Sequence, residues 1–397
     1  MIHLSDRINR LSESETLAMS RKSRELKAEG HDVINLSVGE PDFFTPDNIK
    51  LAAKKAVDEN YSFYTPVNGY QDLREAICRK LERDNKLSYK PEQIVVSTGA
   101  KQSIANVVLC MVNPGEEVIV PTPYWVSYRE IVKMAEGTPV YIKAGIENNF
   151  KITPAQLEEA ITEKTKMFMF SSPCNPTGSV YSREELKALA EVFAKHPNVY
   201  ILADEIYEHI NFSGQHESIA QFPEIKDRVL LINGVSKGFA MTGWRVGYLA
   251  AQTEIAKACN KLQGQFTSGT CSIAQRATIE AMETDPSATR DMLGKFMERR
   301  DLVLNLLKEV PGTETNVPQG AFYLFINVKS YFGKSDGAQT INDANDFCMY
   351  LLNKAHIALV PGGAFGDDDC VRLSYATSND LLVEAVDRMK NALAALK

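Results

Sequence analysis

Asp204 comes directly after an apolar run, residues 199–203, that has the composition of a buried strand. A carboxylate buried at the end of a strand needs a partner, because its desolvation is costly when it is left unpaired. A protonated ring nitrogen would be such a partner. A helix cap or a structural ion pair would satisfy Asp204 equally well, so the residue alone does not decide between a functional and a structural role.

Lys237 follows the next apolar run, residues 229–232, after a short turn that ends at Ser236. Most lysines are solvated at the protein surface. A lysine at the carboxyl end of a strand, beside small residues that leave room for a ligand, is instead a candidate for a Schiff base, because burial lowers its pKa. Arg245, a few residues further on, is suited to hold a phosphate by a bidentate contact.

The segment 99–102, Gly-Ala-Lys-Gln, is a candidate anion site. It precedes a predicted helix over residues 103–111, and free backbone N–H groups at a helix N-terminus attract anions. Taken alone, the segment is equally well explained as an ordinary strand-to-helix turn. Its combination with Asp204, Lys237 and Arg245 favours one shared site over four unrelated features.

The elements that must position these residues form an α/β pattern. Between about residues 93 and 250, short apolar runs alternate with polar turns and amphipathic stretches, which is typical of a mostly parallel sheet covered by helices. Ligands of such sheets lie beyond the carboxyl ends of the strands, so we expect the turns to converge on one site. Further on, the chain predicts a second, smaller α+β domain with a charged helix over 292–307 and strands over 321–326 and 371–374. The apolar runs of the large sheet are 93–97, 118–120, 166–170, 199–203 and 229–232.

Bulk composition limits the classes of protein that the chain represents. Hydrophobic residues make up 44% and charged residues 24%, and the net charge is −7 without basic blocks, so we expect no nucleic-acid partner. No apolar run reaches the roughly 18 residues of a membrane helix, so we expect no membrane association. The seven cysteines include no C-x-x-C pair, which favours reduced thiols and a cytoplasmic protein.

A series of short motifs resembles, in order along the chain, those of the class I aminotransferases of the aspartate aminotransferase fold. The resemblance covers nearly the whole chain and is strongest to bacterial aspartate aminotransferases of the thermophile type. It implies the α/β fold type I of pyridoxal-phosphate (PLP) enzymes, with a large domain over residues 48–290 and a small domain formed by 1–47 and 291–397. The motifs are Gly39-Glu-Pro-Asp-Phe43, Tyr64-Thr-Pro-Val-Asn-Gly69, Pro123-Tyr-Trp125, Asn175-Pro-Thr-Gly178, Asp204-Glu-Ile-Tyr207, Ser236-Lys237, Met241-Thr-Gly-Trp-Arg245 and Val371-Arg-Leu-Ser374.

The resemblance implies that pyridoxal 5′-phosphate is the cofactor and that three residues are catalytic. Lys237 would carry the cofactor as a Schiff base and move the substrate proton. Asp204 would pair with the pyridine nitrogen, and Tyr207 would hydrogen-bond the phenolate oxygen. The further cofactor contacts implied are Gly99, Ala100, Lys101, Trp125, Asn175, Ser236, Arg245 and, from the second subunit of a homodimer, Tyr64.

The resemblance also implies how an amino acid and a 2-oxo acid would be held. Arg372 with Asn175 would clamp the α-carboxylate, Gly39 would add a backbone contact, and Trp125 and Lys101 would also contact the substrate. An arginine–carboxylate fork is directional, so it would align the Cα–H bond for cleavage. Considered singly, Trp125 is explained as a core residue and Arg372 as part of a buried ion pair.

L-Aspartate and 2-oxoglutarate are the substrates that the resemblance implies, in a ping-pong reaction. Some similar enzymes bind the distal carboxylate with an arginine of the neighbouring subunit, where this chain supplies Gln263. The resemblance to the thermophile-type enzymes implies that a lysine binds the distal carboxylate there, and this chain retains that lysine as Lys101. Similar enzymes that also accept prephenate have a basic residue near the N-terminus where this chain has Ser12, so the sequence does not favour prephenate activity.

Other catalytic patterns give the alternatives. Another PLP transaminase or a β-lyase of the same fold would use the same cofactor residues. From a different class, the segment 234–238 matches the G-x-S-x-G motif of an α/β-hydrolase with Ser236 as the nucleophile, although His356 is the only histidine that follows it. The chain has no G-x-G-x-x-G spacing for NAD, and His216-Glu217 lacks the second histidine of a zinc motif, so no metal is expected.

Overall fold

The computed structural model describes residues 2–285 and 289–397, which form thirteen α-helices and thirteen β-strands. The helices are α1 (Asp6–Asn9), α2 (Glu15–Ala28), α3 (Asp47–Asp58), α4 (Gln71–Asn85), α5 (Ala100–Met111), α6 (Ser127–Met134), α7 (Pro154–Ala160), α8 (Arg183–Lys195), α9 (Thr253–Phe266), α10 (Ser272–Glu283), α11 (Arg290–Leu307), α12 (Ala344–Ala355) and α13 (Asn379–Leu393). The strands are β1 (Ile34–Asn35), β2 (Ile94–Ser97), β3 (Glu117–Thr122), β4 (Thr138–Lys143), β5 (Thr165–Ser171), β6 (Tyr200–Asp204), β7 (Val229–Gly234), β8 (Gly247–Ala250), β9 (Glu314–Thr315), β10 (Tyr323–Asn327), β11 (Ile357–Ala358), β12 (Val360–Pro361) and β13 (Cys370–Ser374).

A seven-stranded sheet forms the centre of the structure, in the order β2-β8-β7-β6-β5-β3-β4. Neighbouring strands are parallel except at β8, which runs antiparallel to both β2 and β7. The mostly parallel α/β sheet predicted from the apolar runs is therefore confirmed.

Both faces of this sheet are buried, as β5 illustrates. Phe168 and Phe170 belong to one hydrophobic cluster, and Met167 and Met169 belong to another. Successive side chains of a strand point to opposite faces, so the two clusters lie on the two sides of the sheet. This arrangement explains why the strand sequences are nearly continuous apolar runs rather than alternating ones.

A second sheet lies in the carboxyl-terminal part of the chain. It is antiparallel, with the order β12-β13-β10-β9, and a third hydrophobic cluster joins it to α11, α12 and α13. β1 pairs with β11 in a separate parallel pair, which connects the segment near the N-terminus to the carboxyl-terminal elements. The α+β character predicted for this part is present, and the domain boundaries at 47/48 and 290/291 stay a prediction.

The strands that the sequence predicted in the large sheet are all present, with ends within two residues of those expected. The sequence patterns did not indicate β4 or β8. β4 lies at the sheet edge with mostly exposed or half-buried residues, and β8 has only four residues, two of them Gly247 and Ala250. α5 begins at Ala100 rather than at residue 103. No described helix is long and apolar enough to cross a membrane.

Candidate active site

A cavity of about 400 Å³ lies at the carboxyl ends of β5 and β6. Ser171 and Asp204, the last residues of these strands, line it, and so do Tyr323 of β10 and Arg372 of β13. The cavity is therefore formed between the two sheets, where the strand-end turns were expected to converge. The predicted site residues that line it are Gly39, Ala100, Lys101, Trp125, Asn175, Asp204, Tyr207, Ser236, Lys237, Arg245 and Arg372.

Lys237 reaches this cavity from the turn after β7. Its side-chain nitrogen donates a hydrogen bond to the carbonyl oxygen of Gly39. Burial lowers the pKa of Lys237 to about 8, and the positive charge of Arg372 acts in the same direction. Roughly a tenth of such a lysine is neutral at pH 7, and the neutral amine is the form that acts as a nucleophile or a base.

Asp204 is a buried carboxylate, only 5% exposed. Burial raises the pKa of its carboxyl to about 6, while hydrogen bonds from Tyr128 and from the backbone of Ile206 oppose that rise. The Tyr128 hydroxyl donates to Oδ2 at 2.8 Å, and the Ile206 N–H donates to Oδ1 at 3.3 Å. Asp204 is therefore mostly ionised at pH 7 and is suited to bind a protonated ring nitrogen.

Gly99, Ala100 and Arg245 form a cradle for an anion. Gly99 is the N-cap residue of α5 and has a φ of +84°, a conformation that favours glycine. A Cβ atom on Gly99 would collide with the Arg245 guanidinium, and one on Gly247 would collide with the backbone nitrogen of Ala100. The absence of both side chains lets a cation lie beside the first turn of a helix, where the helix dipole also attracts anions.

Arg372 is a buried cation, and one of its three guanidinium nitrogens has no acceptor among the described residues. Its Nη1 donates to Asn175 Oδ1 at 2.9 Å, and its Nη2 donates to the carbonyl oxygen of Ser37 at 2.6 Å. Its guanidinium lies 4.5 Å from the centroid of the Tyr323 ring. Within residues 2–285 and 289–397, its buried Nε has no hydrogen-bond partner. A carboxylate ligand would supply the missing acceptor.

Tyr207 lies shortly after Asp204 and contacts a residue that the sequence analysis missed. The hydroxyl groups of Tyr207 and Tyr323 are hydrogen-bonded at 2.7 Å. A Cβ atom on Gly39 would lie 2.6 Å from the Tyr323 hydroxyl, so this tyrosine also explains why a glycine is needed there. Tyr323 belongs to an apolar strand, and nothing local distinguishes it from a core aromatic residue.

Lys101 and Trp125 are neighbours in the cavity. The Lys101 Nζ lies 4.9 Å from the centroid of the Trp125 ring, a cation–π distance. The Lys101 side chain keeps part of its surface exposed, yet partial desolvation lowers its pKa, and the charge of Arg245 lowers it further. Lys101 therefore adds a cation to the same cavity as Arg245 and Arg372.

Tyr64 and Gln263 lie outside this cavity, and Gly99 does not line it although the next residue, Ala100, does. Tyr64 is 98% exposed. Gln263 is fully buried, where its amide nitrogen donates to the carbonyl oxygens of Val67 and Val96 and its oxygen accepts from Ser97. The amide of Gln263 is thus occupied by contacts inside the chain, and Gln263 does not take the place of a substrate-binding arginine.

The cavity also contains residues that the sequence analysis did not single out. Three of them, Ser14, Thr16 and Leu17, come from the beginning of α2, whose sequence is that of an ordinary helix start. Only the tertiary packing of α2 brings these three residues to the cavity. The others are Val38, Glu40, Ile104, Val126, Ser127, Tyr128, Ser171, Ile206, Thr242 and Tyr323.

Ser236 lines the cavity without the histidine that a hydrolase needs. His356 follows α12 and stacks on His31, with ring centroids 4.7 Å apart. None of the described residues that line the cavity is a histidine. A serine nucleophile requires a base within hydrogen-bond reach, so the arrangement does not support the hydrolase alternative.

The side chains around the cavity fit pyridoxal 5′-phosphate. Asp204 suits a protonated ring nitrogen, the cradle at Gly99 and Arg245 suits a phosphate, and the amine of Lys237 suits an aldehyde. The cavity volume of about 400 Å³ lies within the usual range for small-molecule sites. Three complementary groups for one ligand therefore face the same space.

Comparisons with known proteins agree with this chemistry. The family described as aminotransferase class I and II matches residues 31–389. An aspartate/prephenate aminotransferase from Cereibacter sphaeroides is 47% identical over 399 residues, which cover 100% of both chains. A bifunctional aspartate aminotransferase and glutamate/aspartate-prephenate aminotransferase from Petunia hybrida is 47% identical over 401 residues, which cover 100% of this chain and 84% of that protein.

Two solved structures are similar over their whole length. The aspartate aminotransferase from Rhizobium meliloti has a TM-score of 0.97 at 41% identity, with 100% of both chains covered. The Thermus thermophilus aspartate aminotransferase with maleate has a TM-score of 0.92 at 38% identity, covering 99% of this chain and 100% of that one. These similarities confirm the fold that the motifs implied.

Proposed function

Because the chain belongs to the family of class I and II aminotransferases, we propose that it transfers the amino group of L-aspartate to 2-oxoglutarate, with pyridoxal 5′-phosphate bound at Lys237. The products are oxaloacetate and L-glutamate. The two oxo-acid/amino-acid pairs use the same cavity in turn, so the reaction is ping-pong. Within the cavity, Lys237, Asp204 and Arg372 have separate roles.

The observation that carries the proposal is the position of Arg372 relative to Lys237. Both line one cavity, and Arg372 is held by Asn175 while its Nε lacks a partner among the residues that the structure describes. A fixed guanidinium binds a carboxylate in a defined orientation. An α-amino acid bound in this way presents its Cα–H bond beside a lysine of lowered pKa, which is the geometry that proton transfer requires.

The residues of this chain divide the chemistry between them. Bound pyridoxal phosphate supplies an electron-withdrawing ring that stabilises negative charge at the substrate Cα. Asp204 keeps a negative charge beside the ring nitrogen, and Lys237 accepts the Cα proton through its neutral amine. Tyr207 has a pKa raised well above its ordinary value by burial, so its hydroxyl remains a hydrogen-bond donor. Arg245 and the first turn of α5 hold the phosphate.

Lys101 is the residue that we assign to the distal carboxylate of a dicarboxylic substrate. Among the described residues that line the cavity, Lys237 holds the cofactor, Arg372 serves the α-carboxylate and Arg245 serves the phosphate. Of that set, Lys101 is the remaining cation for a second acidic group. The names of the relatives from Cereibacter and Rhizobium include aspartate, and the Thermus structure is described with maleate, a dicarboxylate. These names support aspartate and 2-oxoglutarate as substrates of this chain.

Prephenate is a second candidate acceptor, which the names of several relatives favour. Similar enzymes that accept prephenate have a basic residue where this chain has Ser12. The backbone N–H of Ser12 donates a hydrogen bond to the Glu130 carboxylate at 2.9 Å. Glu13 beside it pairs with Arg21. The segment around Ser12 is therefore polar and partly acidic. An assay with prephenate tests directly whether the enzyme accepts this substrate.

We also propose a homodimer in which Tyr64 contributes to the site of the neighbouring subunit. Tyr64 lines no part of the cavity of its own chain and is 98% exposed. Phe44, Phe63 and Phe266 are likewise large aromatic residues with exposed side chains. Exposed aromatic residues are enriched at protein interfaces, which supports a second copy of the chain as the partner. The cytoplasmic location stays a prediction.

The proposed function is tested by the cofactor linkage. The purified protein is expected to absorb visible light, and Lys237→Ala is expected to lose both this absorption and turnover. Borohydride reduction followed by peptide mapping identifies the attached lysine. Lys54→Ala, at an exposed position of α3, is the matched control and is expected to behave like the wild type. A label on any lysine other than Lys237 contradicts the assignment.

A further inference from the structure

We propose that Tyr128 is a positioning residue for the aminotransferase reaction: its buried hydroxyl donates to Asp204 and keeps that carboxylate ionised and fixed at the cavity wall. The inference rests on the proposed function, because it takes Asp204 to be the partner of the cofactor ring nitrogen. Tyr128 acts through Asp204, and its contribution is separate from that of the catalytic Lys237.

The geometry holds the Tyr128 hydroxyl at one place. Tyr128 is 1% exposed, and its hydroxyl lies 2.8 Å from Asp204 Oδ2. Trp125 packs edge-to-face against its ring, with centroids 5.5 Å apart. The phenol is thus fixed by packing, and a pre-fixed donor orders a carboxylate with little further loss of entropy. The longer contact from the Ile206 N–H goes to the other oxygen, Oδ1, at 3.3 Å.

The groups that face Asp204 act on its charge in opposite directions. Burial raises the pKa of Asp204 to about 6, and the charge of Glu205 also raises it. Tyr128, the Ile206 N–H and Lys237 lower it. A hydrogen bond to the charged form of a carboxyl favours that form, so loss of the Tyr128 hydroxyl moves the equilibrium toward the neutral acid.

Tyr128 itself remains a donor throughout the working pH range. Burial and the negative charge of Asp204 raise the pKa of its hydroxyl well above the ordinary value. A tyrosine that keeps its proton beside a carboxylate has one possible role in the hydrogen bond, that of the donor. The pair therefore consists of a fixed neutral donor and an acceptor whose ionisation the donor controls.

The consequence concerns the chemical step more than substrate binding. A neutral carboxyl at Asp204 no longer favours a protonated ring nitrogen, so negative charge at the substrate Cα is stabilised less. Arg372, which binds the substrate α-carboxylate in the proposed function, does not depend on Tyr128. We therefore expect Tyr128→Phe to lower kcat about 10- to 100-fold at nearly unchanged KM.

The experiment combines that kinetic readout with a direct titration of Asp204. The full chain without added cofactor is labelled with ¹³C at the aspartate carboxyl, and the Asp204 signal is identified by its loss in Asp204→Asn. In wild type the signal is expected to titrate near pH 6, and in Tyr128→Phe at a higher pH. The matched control is Tyr350→Phe, since Tyr350 is also 1% exposed and its hydroxyl donates to Ala392 at 2.9 Å.

A ring-fluorinated tyrosine at position 128 gives a second variant that preserves shape. Its more acidic hydroxyl is a stronger donor, so the Asp204 titration is expected to move to lower pH, opposite to the effect of phenylalanine. This variant keeps the packing against Trp125, and it decides the question even where Tyr128→Phe does not fold.

The outcomes separate this inference from the proposed function. An Asp204 titration that stays the same in Tyr128→Phe and in the fluorinated variant, or that moves equally in Tyr350→Phe, overturns the role of Tyr128. Failure of the proposed function is a different result: Asp204→Asn then turns over like the wild type, and Lys237 carries no chromophore. In that case the titration still reports whether Tyr128 controls the charge of Asp204.

Discussion

Replacing Lys101 by methionine is expected to weaken catalysis with dicarboxylic substrates selectively. Lys101, Arg245 and Arg372 are cations of the same cavity, and the proposed function uses the two arginines for the phosphate and the α-carboxylate. Methionine keeps an unbranched side chain that packs against Trp125, where the Lys101 Nζ lies 4.9 Å from the ring centroid. The substitution therefore removes the charge and retains most of the packing.

The magnitude follows from the surroundings of Lys101. Exposed ion pairs contribute up to about 1 kcal/mol, and hydrogen bonds to charged groups contribute about 1.5 to 3 kcal/mol. Lys101 is exposed at the cavity wall, and partial desolvation lowers its pKa, so its setting lies between these two cases. We therefore expect a loss of about 1.5 to 2 kcal/mol, which is a factor of about 12 to 30 in kcat/KM.

The assay compares acidic and neutral substrates with the same enzyme. The kcat/KM is measured for aspartate and alanine as donors, and for 2-oxoglutarate and pyruvate as acceptors. Lys101→Met is expected to lower the values for aspartate and 2-oxoglutarate and to change those for alanine and pyruvate less than threefold or so. Lys54→Met, at an exposed position, is the control for loss of a lysine charge. It is expected to leave the kcat/KM values for all four substrates unchanged.

A pH profile supplies an independent check of the same residue. The ammonium form of Lys101 binds the distal carboxylate, and its pKa is lowered by desolvation and by Arg245. The kcat/KM for 2-oxoglutarate is therefore expected to fall as the pH rises through that lowered pKa, below the usual lysine range. This alkaline limb is expected to be absent in Lys101→Met. Equal losses for acidic and neutral substrates would refute the reasoning and make Lys101 a cofactor-binding or structural residue.

Two further predictions concern stability and assembly. Lys80→Met is expected to lower the free energy of unfolding by about 3 kcal/mol, the lower end of the range for breaking a buried ion pair, because Glu208 loses Lys80 but keeps the Asn85 amide and His209 as neighbours. Urea titration measures this loss, and the exposed Lys187→Met is the control. A loss below about 1 kcal/mol would count against a structural ion pair. Mixed dimers of Tyr64→Ala and Lys237→Ala chains are expected to regain about half of the wild-type activity, because one of their two sites then has both native residues; mixed dimers as inactive as the parents would show that Tyr64 does not act across the interface.

Asp204 and Lys237 show how much local sequence determines. Each follows an apolar run, and parallel strands place their carboxyl ends at the same edge of a sheet. The alternation of runs and turns thus predicted both the sheet and the edge at which the polar residues meet. Asn175 and Arg372 were named from motifs of the resembled family, since neither has a local pattern that distinguishes a ligand contact from a structural one.

The same reasoning missed β8, and the cause is physical. Its four residues include Gly247 and Ala250, whose small side chains give almost no hydrophobic signal. The strand is nevertheless buried, because β2 and β7 hydrogen-bond to it on both sides. Gly247 is needed at this point for the close approach of the Ala100 backbone, a contact between segments far apart in the chain.

The partners of the buried polar groups were decided only by the tertiary structure. Tyr128 donates to Asp204, and Tyr323 contacts Tyr207, yet each tyrosine has the sequence surroundings of a core residue. Gln263 stands where some similar enzymes have a substrate-binding arginine, and its amide is satisfied inside the chain. The order of apolar and polar residues determines which positions are buried, because burial follows the period of each strand and helix. Which buried donor meets which acceptor depends on the packing of elements that are distant in the sequence, and local sequence contains no signal for that packing.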